Sequence, residues 1–459
     1  MTQSKRSILF ACLFIFGISL RLMLYWQNPV FNSFDDHYEP ILKIFYEGIP
    51  AKDACYQCYH PPIFYYLSAM VGKLVSNDIL RLKAESVFKL WQLIPCLFGI
   101  LHLILIYLIL ERIKVSEFSK ILTFATACFL PRHIYMSVLH SNDTISYFFV
   151  GLCVYLLLIA IDRKFPPSLL ILLSLSITIT IFTKYTAFII LPVVVTTALL
   201  VFVWNMFSRR KIATLLLTLV APLFLLSLYT SSNIKKYGTP LPRQNIIAYT
   251  NVIQPQVEKI SYISFKPWET INPLIITPDN IGSFWTLIYS RTFWDLEPRF
   301  LLATDPGPWW DDYYNWLSGR STFPSTIQLS NTTVFTGSSL ITLGLIPLLF
   351  IMIGGYQSVF GRWSVWNRSY RTEALKVHIL LVIFIFNVIG IVYWVSSNPV
   401  YSTMKAAYFL NSLPALMVFM CLGLMLIEKI KAIKCAVIIV FIVLFTIVIW
   451  HILHIIISL

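Results

Sequence analysis

Apolar runs long enough to cross a hydrocarbon core of about 30 Å, roughly 17–25 residues each, recur near 8–26, 88–110, 120–139, 145–161, 168–183, 186–207, 212–232, 336–354, 377–395, 405–427 and 435–457. The pattern predicts an all-α polytopic membrane protein with about 11 transmembrane helices. Two segments, 27–87 and 233–335, are too long and too polar to be simple connections. Within the first, Ile63, Leu67, Met70, Val71 and Leu74 fall at helical spacing just after Pro61-Pro62, and prolines suit a first helical turn. That stretch is too short to span, so an amphipathic helix lying in the membrane interface is expected. No repeat of fixed period and no low-complexity linker divides the chain. Residues 1–459 are therefore expected to form one membrane-embedded domain.

Composition sharpens this. With 459 residues, 58% of them hydrophobic and only 12% charged, the chain is too apolar for a water-soluble enzyme. Its 34 Phe and 24 Tyr exclude disorder and collagen. The net charge of +14 could suggest nucleic acid, but its distribution argues for topology. Placing the N-terminus inside puts 17 Lys and Arg and five acids on the cytoplasmic side, while the short outside links near 140–144, 184–185 and 396–404 hold a single lysine, Lys184. This is a positive-inside pattern, and it places the C-terminus and both large loops outside. The first span follows Lys5-Arg6 without a small-x-small site after Trp26, so a retained anchor is expected. Of the 21 acidic residues, 15 lie in the two large loops; the chemistry is expected on that face. Six of the eight cysteines fall in apolar runs and read as small buried hydrophobes.

The first loop carries the sharpest motifs. Phe34-Asp35-Asp36-His37-Tyr38-Glu39 packs three carboxylates into five positions. Like charges this close push one carboxyl toward its neutral form, which suits a general base; a merely solvated acidic loop is the bland alternative. Cys55-Tyr56-Gln57-Cys58-Tyr59-His60 could give three soft ligands to zinc through Cys55, Cys58 and His60, but no second pair follows. A local disulfide or two thiols fits as well. Leu139-His140-Ser141-Asn142-Asp143-Thr144 opens the fourth run. Asn142 and Asp143 read either as an N-cap or as ionisable groups kept at membrane depth for function, with Arg132 a candidate partner for Asp143.

Lys184, in Thr183-Lys184-Tyr185-Thr186, and Lys405, in Tyr401-Ser402-Thr403-Met404-Lys405-Ala406-Ala407-Tyr408, run against the positive-inside trend. An anionic lipid phosphate would explain them; snorkelling into headgroups would too. The second loop holds six of the 13 Trp, beside acids in Phe293-Trp294-Asp295 and Trp309-Trp310-Asp311-Asp312. That composition suits a carbohydrate or headgroup pocket or an interfacial aromatic belt.

An acidic pair after the first span, His-Pro-Pro before a juxtamembrane helix, Asn-Asp opening the fourth span, Thr-Lys-Tyr-Thr, and a late Lys-x-x-Tyr-Phe-Leu-x-x-x-Pro together resemble the glycosyltransferase C superfamily. In pattern the chain is most similar to protein O-mannosyltransferases and lipid A aminoarabinose transferases, over residues 1 to about 420. The resemblance implies transfer of a sugar from a polyprenyl-phosphate donor to a hydroxyl acceptor on a glycolipid, glycan or protein, outside the cytoplasm. It implies Asp35 as general base, with Asp36 standing where Glu is usual. By the same likeness Asp143 helps shape the site, Lys184 and Lys405 lie near the donor phosphate, and His60, Asn142 and Tyr408 are expected to bind substrate. The late motif commonly carries Arg before its Tyr, where this chain has Ala407, so the phosphate role shifts to Lys405.

A sugar joined to a lipid phosphate already has a good leaving group, which needs cations and not a protonating acid. Attack opposite the phosphate would invert the anomeric centre, and neither a cofactor nor a metal is expected. A flippase or transporter of lipid-linked sugars is the rival from another class; it predicts inverted repeats and midplane polar groups. A polysaccharide polymerase or ligase is the enzymatic rival. Expected partners are the donor lipid, the acceptor and the bilayer, with no nucleic acid. A bacterial inner membrane, with the active site facing outward, is the expected location.

Overall fold

The computed structural model describes residues 3–30, 37–48, 55, 57–75, 84–242, 257, 259–272, 274–294, 300, 304–305, 307–317, 319–361 and 371–459. Its helices are α1 (Gln3–Gln27), α2 (Tyr38–Glu47), α3 (Ile63–Lys73), α4 (Ala84–Arg112), α5 (Glu117–Phe129), α6 (Pro131–Val138), α7 (Asp143–Asp162), α8 (Pro167–Ile181), α9 (Ile190–Val203), α10 (Arg209–Leu217), α11 (Val220–Tyr237), α12 (Phe284–Phe293), α13 (Trp309–Leu317), α14 (Asn331–Leu343), α15 (Leu345–Phe360), α16 (Arg371–Ser397), α17 (Leu413–Ile427) and α18 (Lys431–Ser458). Short 3₁₀ turns cover Tyr185–Ile189, Pro267–Thr270, Tyr401–Thr403 and Ala406–Ser412. The chain is an all-α polytopic membrane protein.

Every one of the eleven apolar runs is helical, but not every one is a straight full-length span. Among the described residues nine helical stretches are long and apolar enough to cross a bilayer. The run at 120–139 is instead a pair, α5 and α6, bent by 45°. The cause is local: proline lacks an N–H and forces the residue before it out of the helical region, and Leu130 is extended (φ −68°, ψ 113°) while Pro131 opens α6. The run at 168–183 is α8, 15 residues long or about 22 Å at 1.5 Å per residue, short of the hydrocarbon thickness.

Packing follows from side-chain size. Without a hydrophobic force between helices in lipid, small residues let backbones approach. A Cβ on Gly354 of α15 would lie 1.7 Å from the Phe419 carbonyl oxygen of α17, and one on Gly423 would lie 2.2 Å from that of Phe350. α1 is held differently. Its buried Arg21 donates to the carbonyls of Gly17 (2.7 Å) and Cys128 (2.9 Å), and its Nη2 is 2.7 Å from His133 Nδ1. His133 Nε2 in turn lies 3.1 Å from Nδ1 of His102 on α4. At one end of the bundle, ion pairs join five helices: Arg6 and Lys120 to Glu111 and Glu117, and Lys376 to Asp162 (2.7 Å) and Glu373 (3.2 Å).

At the other end, α2 and α3 form a small second core with α4 and α7 around Tyr38, Ile41, Phe64, Tyr65, Trp91 and Ile145. α3 begins directly after Pro61-Pro62 and buries Phe64, Tyr65, Ser68, Ala69 and Gly72. The set picked out by helical spacing is divided: Ile63, Leu67 and Val71 pack partly buried against this core, while Met70 and Leu74 face outward, 67% and 57% exposed. In the second loop Ser261 pairs backbone to backbone with Gly282 (2.8 Å) and Phe284 (3.1 Å), and buried Asp305 accepts from Ser330 N (2.7 Å) and the Thr333 hydroxyl.

Candidate active site

Three segments far apart in sequence meet at the loop-bearing end of the bundle. α8 stops short at Ile181, so the residues after it are still between helices, and Lys184 stands in extended backbone before the 3₁₀ turn. Its side chain is 6% exposed, and its Nζ lies 2.6 Å from Oδ1 of Asp143, itself 6% exposed. The same ammonium sits 5.4 Å from the centre of the Tyr408 ring. Asp143 is in the first turn of α7, where the helix dipole favours an anion, and Ser141 Oγ donates to its Oδ2 (3.2 Å). A buried lysine and aspartate in direct contact compensate each other, and removing either leaves the other's charge less well compensated.

Asn142 precedes α7 but makes no side-chain cap. Its amide donates to the Thr183 carbonyl at 3.3 Å, tying the start of α7 to the lysine turn. The 3₁₀ segment bearing Tyr408 is tied in from three sides. Tyr147 donates to the Ala407 carbonyl (2.8 Å), Ser146 donates to Asn411 (2.9 Å), and Asn411 donates to Thr186 (3.1 Å). Asn387, buried in α16, donates to the Tyr408 carbonyl (3.1 Å) and Ser412 (2.8 Å). Lys405 is buried one turn before Tyr408, and just ahead of it buried Arg291 of α12 donates to the carbonyls of Met404 (2.7 Å) and Tyr401 (3.2 Å).

The first loop docks beside this cluster. Tyr185 donates to the Tyr59 carbonyl (2.9 Å), Ile63 N donates to the Phe182 carbonyl (3.1 Å), and the His60 ring is 6.0 Å from that of Tyr185. His37 is 5.9 Å from His60, ring to ring, and its Nδ1 is 2.8 Å from the Tyr65 hydroxyl. His140 is stacked on Tyr38 at 4.0 Å, with neither ring nitrogen hydrogen-bonded. Burial, and then the nearby His37, hold its pKa well below the ordinary imidazole value.

Of the sequence candidates, then, Asp143 pairs with Lys184, whose ammonium faces the Tyr408 ring; Asn142 and Lys405 sit on the segments that carry them; His60 lies against Tyr185. Asp35 and Asp36 lie outside the described residues; His37, the next residue, is at the site's edge. Cys55 and Cys58 form a disulfide with each other, so neither sulfur is a thiolate and the zinc alternative through Cys55, Cys58 and His60 falls. Among the described residues no three His, Cys, Asp or Glu side chains are placed to hold a metal ion. The tryptophans also read differently in three dimensions. Trp294, Trp309 and Trp310 are buried, the last two stacked on each other at 4.0 Å, so they are the core of the second loop and offer no open face to a sugar. Arg291, Asn387 and the Arg21–His133–His102 string were not signalled by any motif; the only sign was a polar residue inside or beside an apolar run.

No family model matches the chain, and no curated protein matches it. Solved structures do. The oligosaccharyltransferase of Archaeoglobus fulgidus, in a complex with zinc and sulfate, superposes with a TM-score of 0.50 at 12% identity, covering 96% of this chain and 53% of that one. The same enzyme tethered to an acceptor peptide gives a TM-score of 0.50 at 10% identity, over 99% and 55% of the two chains. ArnT of Cupriavidus metallidurans in the apo state aligns over 94% of this chain and 78% of that one, with 12% identity and a TM-score of 0.38. The chain spans about half the length of the archaeal enzyme. At such identities the likeness concerns the fold alone: this chain shares the fold of the part of the archaeal oligosaccharyltransferase that it covers.

Proposed function

We propose that the protein is a membrane glycosyltransferase that moves a sugar from a polyprenyl-phosphate donor to a hydroxyl acceptor, inverting the anomeric centre, on the extracytoplasmic side. The observation that carries this reading is the buried Asp143–Lys184 pair under Tyr408, set at the loop-bearing end of a bundle that shares its fold with part of the archaeal oligosaccharyltransferase. Lys184, with Lys405 at the head of the 3₁₀ segment that carries Tyr408, supplies the positive charge that a departing lipid phosphate needs. Asp143 holds Lys184 in place. Asp35 takes the proton from the acceptor hydroxyl as it attacks the sugar opposite the phosphate; Asp36 supports it, and His60 and Asn142 line the approach. The Cys55–Cys58 disulfide supports an oxidising compartment for the first loop, and with the excess of basic residues at the other end it favours the N-in, C-out orientation.

The test is transfer itself. Purified protein in liposomes is given labelled polyprenyl-phosphate sugars and membrane glycolipid or glycan acceptors. Label should reach the acceptor with inversion, and Asp35→Asn and Lys184→Met should each lower kcat by about 10²-fold or more. Undiminished transfer by Asp35→Asn rejects the assigned base. Movement of donor across the bilayer without transfer rejects the enzyme reading in favour of a flippase.

A further inference from the structure

The second loop carries an apolar stretch that no site residue explains. Ile263 is 94% exposed, Trp268 63% and Phe265 37%, three large apolar side chains within six positions. Single exposed hydrophobics are ordinary, but a group of this kind marks an interaction surface. Its location selects the partner. The Tyr262 hydroxyl is 2.6 Å from Ser396 Oγ, in the last turn of α16, and Val257 N donates to the Pro399 carbonyl at 2.7 Å. The segment is thus stapled to the very end of a bilayer-crossing helix. Tyr393, three residues or about 4.5 Å earlier on that helix, is 63% exposed, as expected of an aromatic at the headgroup level. Two lysines accompany the stretch, Lys259 ahead of it, which is exposed, and Lys266 within it, which pairs with Glu269 at 2.9 Å; cations beside an inserted tryptophan suit a phospholipid surface. From within, the stretch is braced by Trp285 Nε1, which donates to the Tyr262 carbonyl (2.8 Å), and by Thr286, whose hydroxyl accepts from Lys266 N (2.8 Å).

We propose that residues 262–268 form an interfacial lip, with Ile263 and Trp268 inserted at the boundary between headgroups and acyl chains beside the end of α16. The lip lies next to the site, because Trp285, which braces it, packs on Phe409 at 6.0 Å, the neighbour of Tyr408. It requires only that α16 spans the bilayer and does not depend on the proposed chemistry.

Spin labels test this. With the exposed Cys12 and Cys435 changed to Ser, labels are attached at Ile263→Cys, Trp268→Cys and, as an aqueous control, Ser325→Cys. The protein is placed in vesicles of phosphatidylethanolamine and phosphatidylglycerol. Labels at 263 and 268 should collide more with oxygen than with a water-soluble nickel chelate, and the label at 325 should do the reverse. A water-like reading at 263 and 268, matching 325, overturns the lip and leaves a surface for a soluble partner. A second measurement needs no cysteine changes: Trp268→Phe should lose part of the fluorescence quenching that lipids with brominated acyl chains cause in the unaltered chain. Equal quenching in both overturns the proposal.

Discussion

Lys184 and Asp143 are the residues on which the site's electrostatics turn, because both are buried and each is the other's partner at 2.6 Å. Lys184→Met or Asp143→Asn alone should lower stability by about 3–5 kcal/mol, since each leaves a buried charge alone or weakly compensated. The double variant should lose less than the sum, and a double-mutant cycle on thermal melts in detergent checks this. His140 makes a second prediction, with pH. Its folded pKa lies below the ordinary value near 6.5, so the protein with the first loop docked binds fewer protons than the undocked one. Docking is strongest above about pH 6.5 and weakens as pH falls below it, by up to about 1.4 kcal/mol per unit for one proton. The protection of α2 amides from exchange, taken relative to the intrinsic rate at each pH, should fall from about pH 8 to about pH 5, and His140→Phe should flatten that fall. These residues were legible in the sequence as polar letters at the ends of apolar runs. What the letters did not disclose was their pairing, since Asp143 and Lys184 are 41 positions apart and meet only because α8 is short.

Among the elements, the α15–α17 crossing rests on two glycines. Gly354→Ala would press a methyl into the Phe419 carbonyl. Backbone cannot yield as a side-chain tip can, so a loss of about 1–3 kcal/mol is expected, read as a lower melting temperature, whereas Gly355→Ala, with nothing within 4 Å of its Cβ, should be near neutral. The contrast is a tight control because the two positions are adjacent. Helices as elements were readable from hydropathy because a bilayer leaves backbone polar groups no partner but the helix itself. The break at Pro131 was readable as a proline, and its angle was not. The tryptophans of the second loop show the limit in the other direction. Trp309 and Trp310 have the composition of a sugar platform, yet α13 turns them inward, and only burial separates a platform from a core.

On the scale of the whole molecule the two ends of the bundle do different work. The charged end is tied by Arg6, Lys120 and Lys376, and because Lys376 is 4% exposed and touches both Asp162 and Glu373, Lys376→Met should destabilise the fold strongly, whereas Lys114→Met, at 81% exposure, should change little; thermal melts compare them. At the opposite end Asn387 and Arg291, which brace the Tyr408 segment, belong to no motif. That bracing has a consequence for how the protein is made. Contacts such as Ser146 to Asn411 and Tyr147 to Ala407 bridge 265 and 260 positions, so a ribosome has to deliver nearly the whole polypeptide before the Tyr408 segment can pack. Until then Asp143 and Lys184 are already inserted in lipid with no ring above them. A chain truncated before residue 400 and released should therefore be a target for membrane proteases, while one truncated beyond residue 427 and released should resist them better.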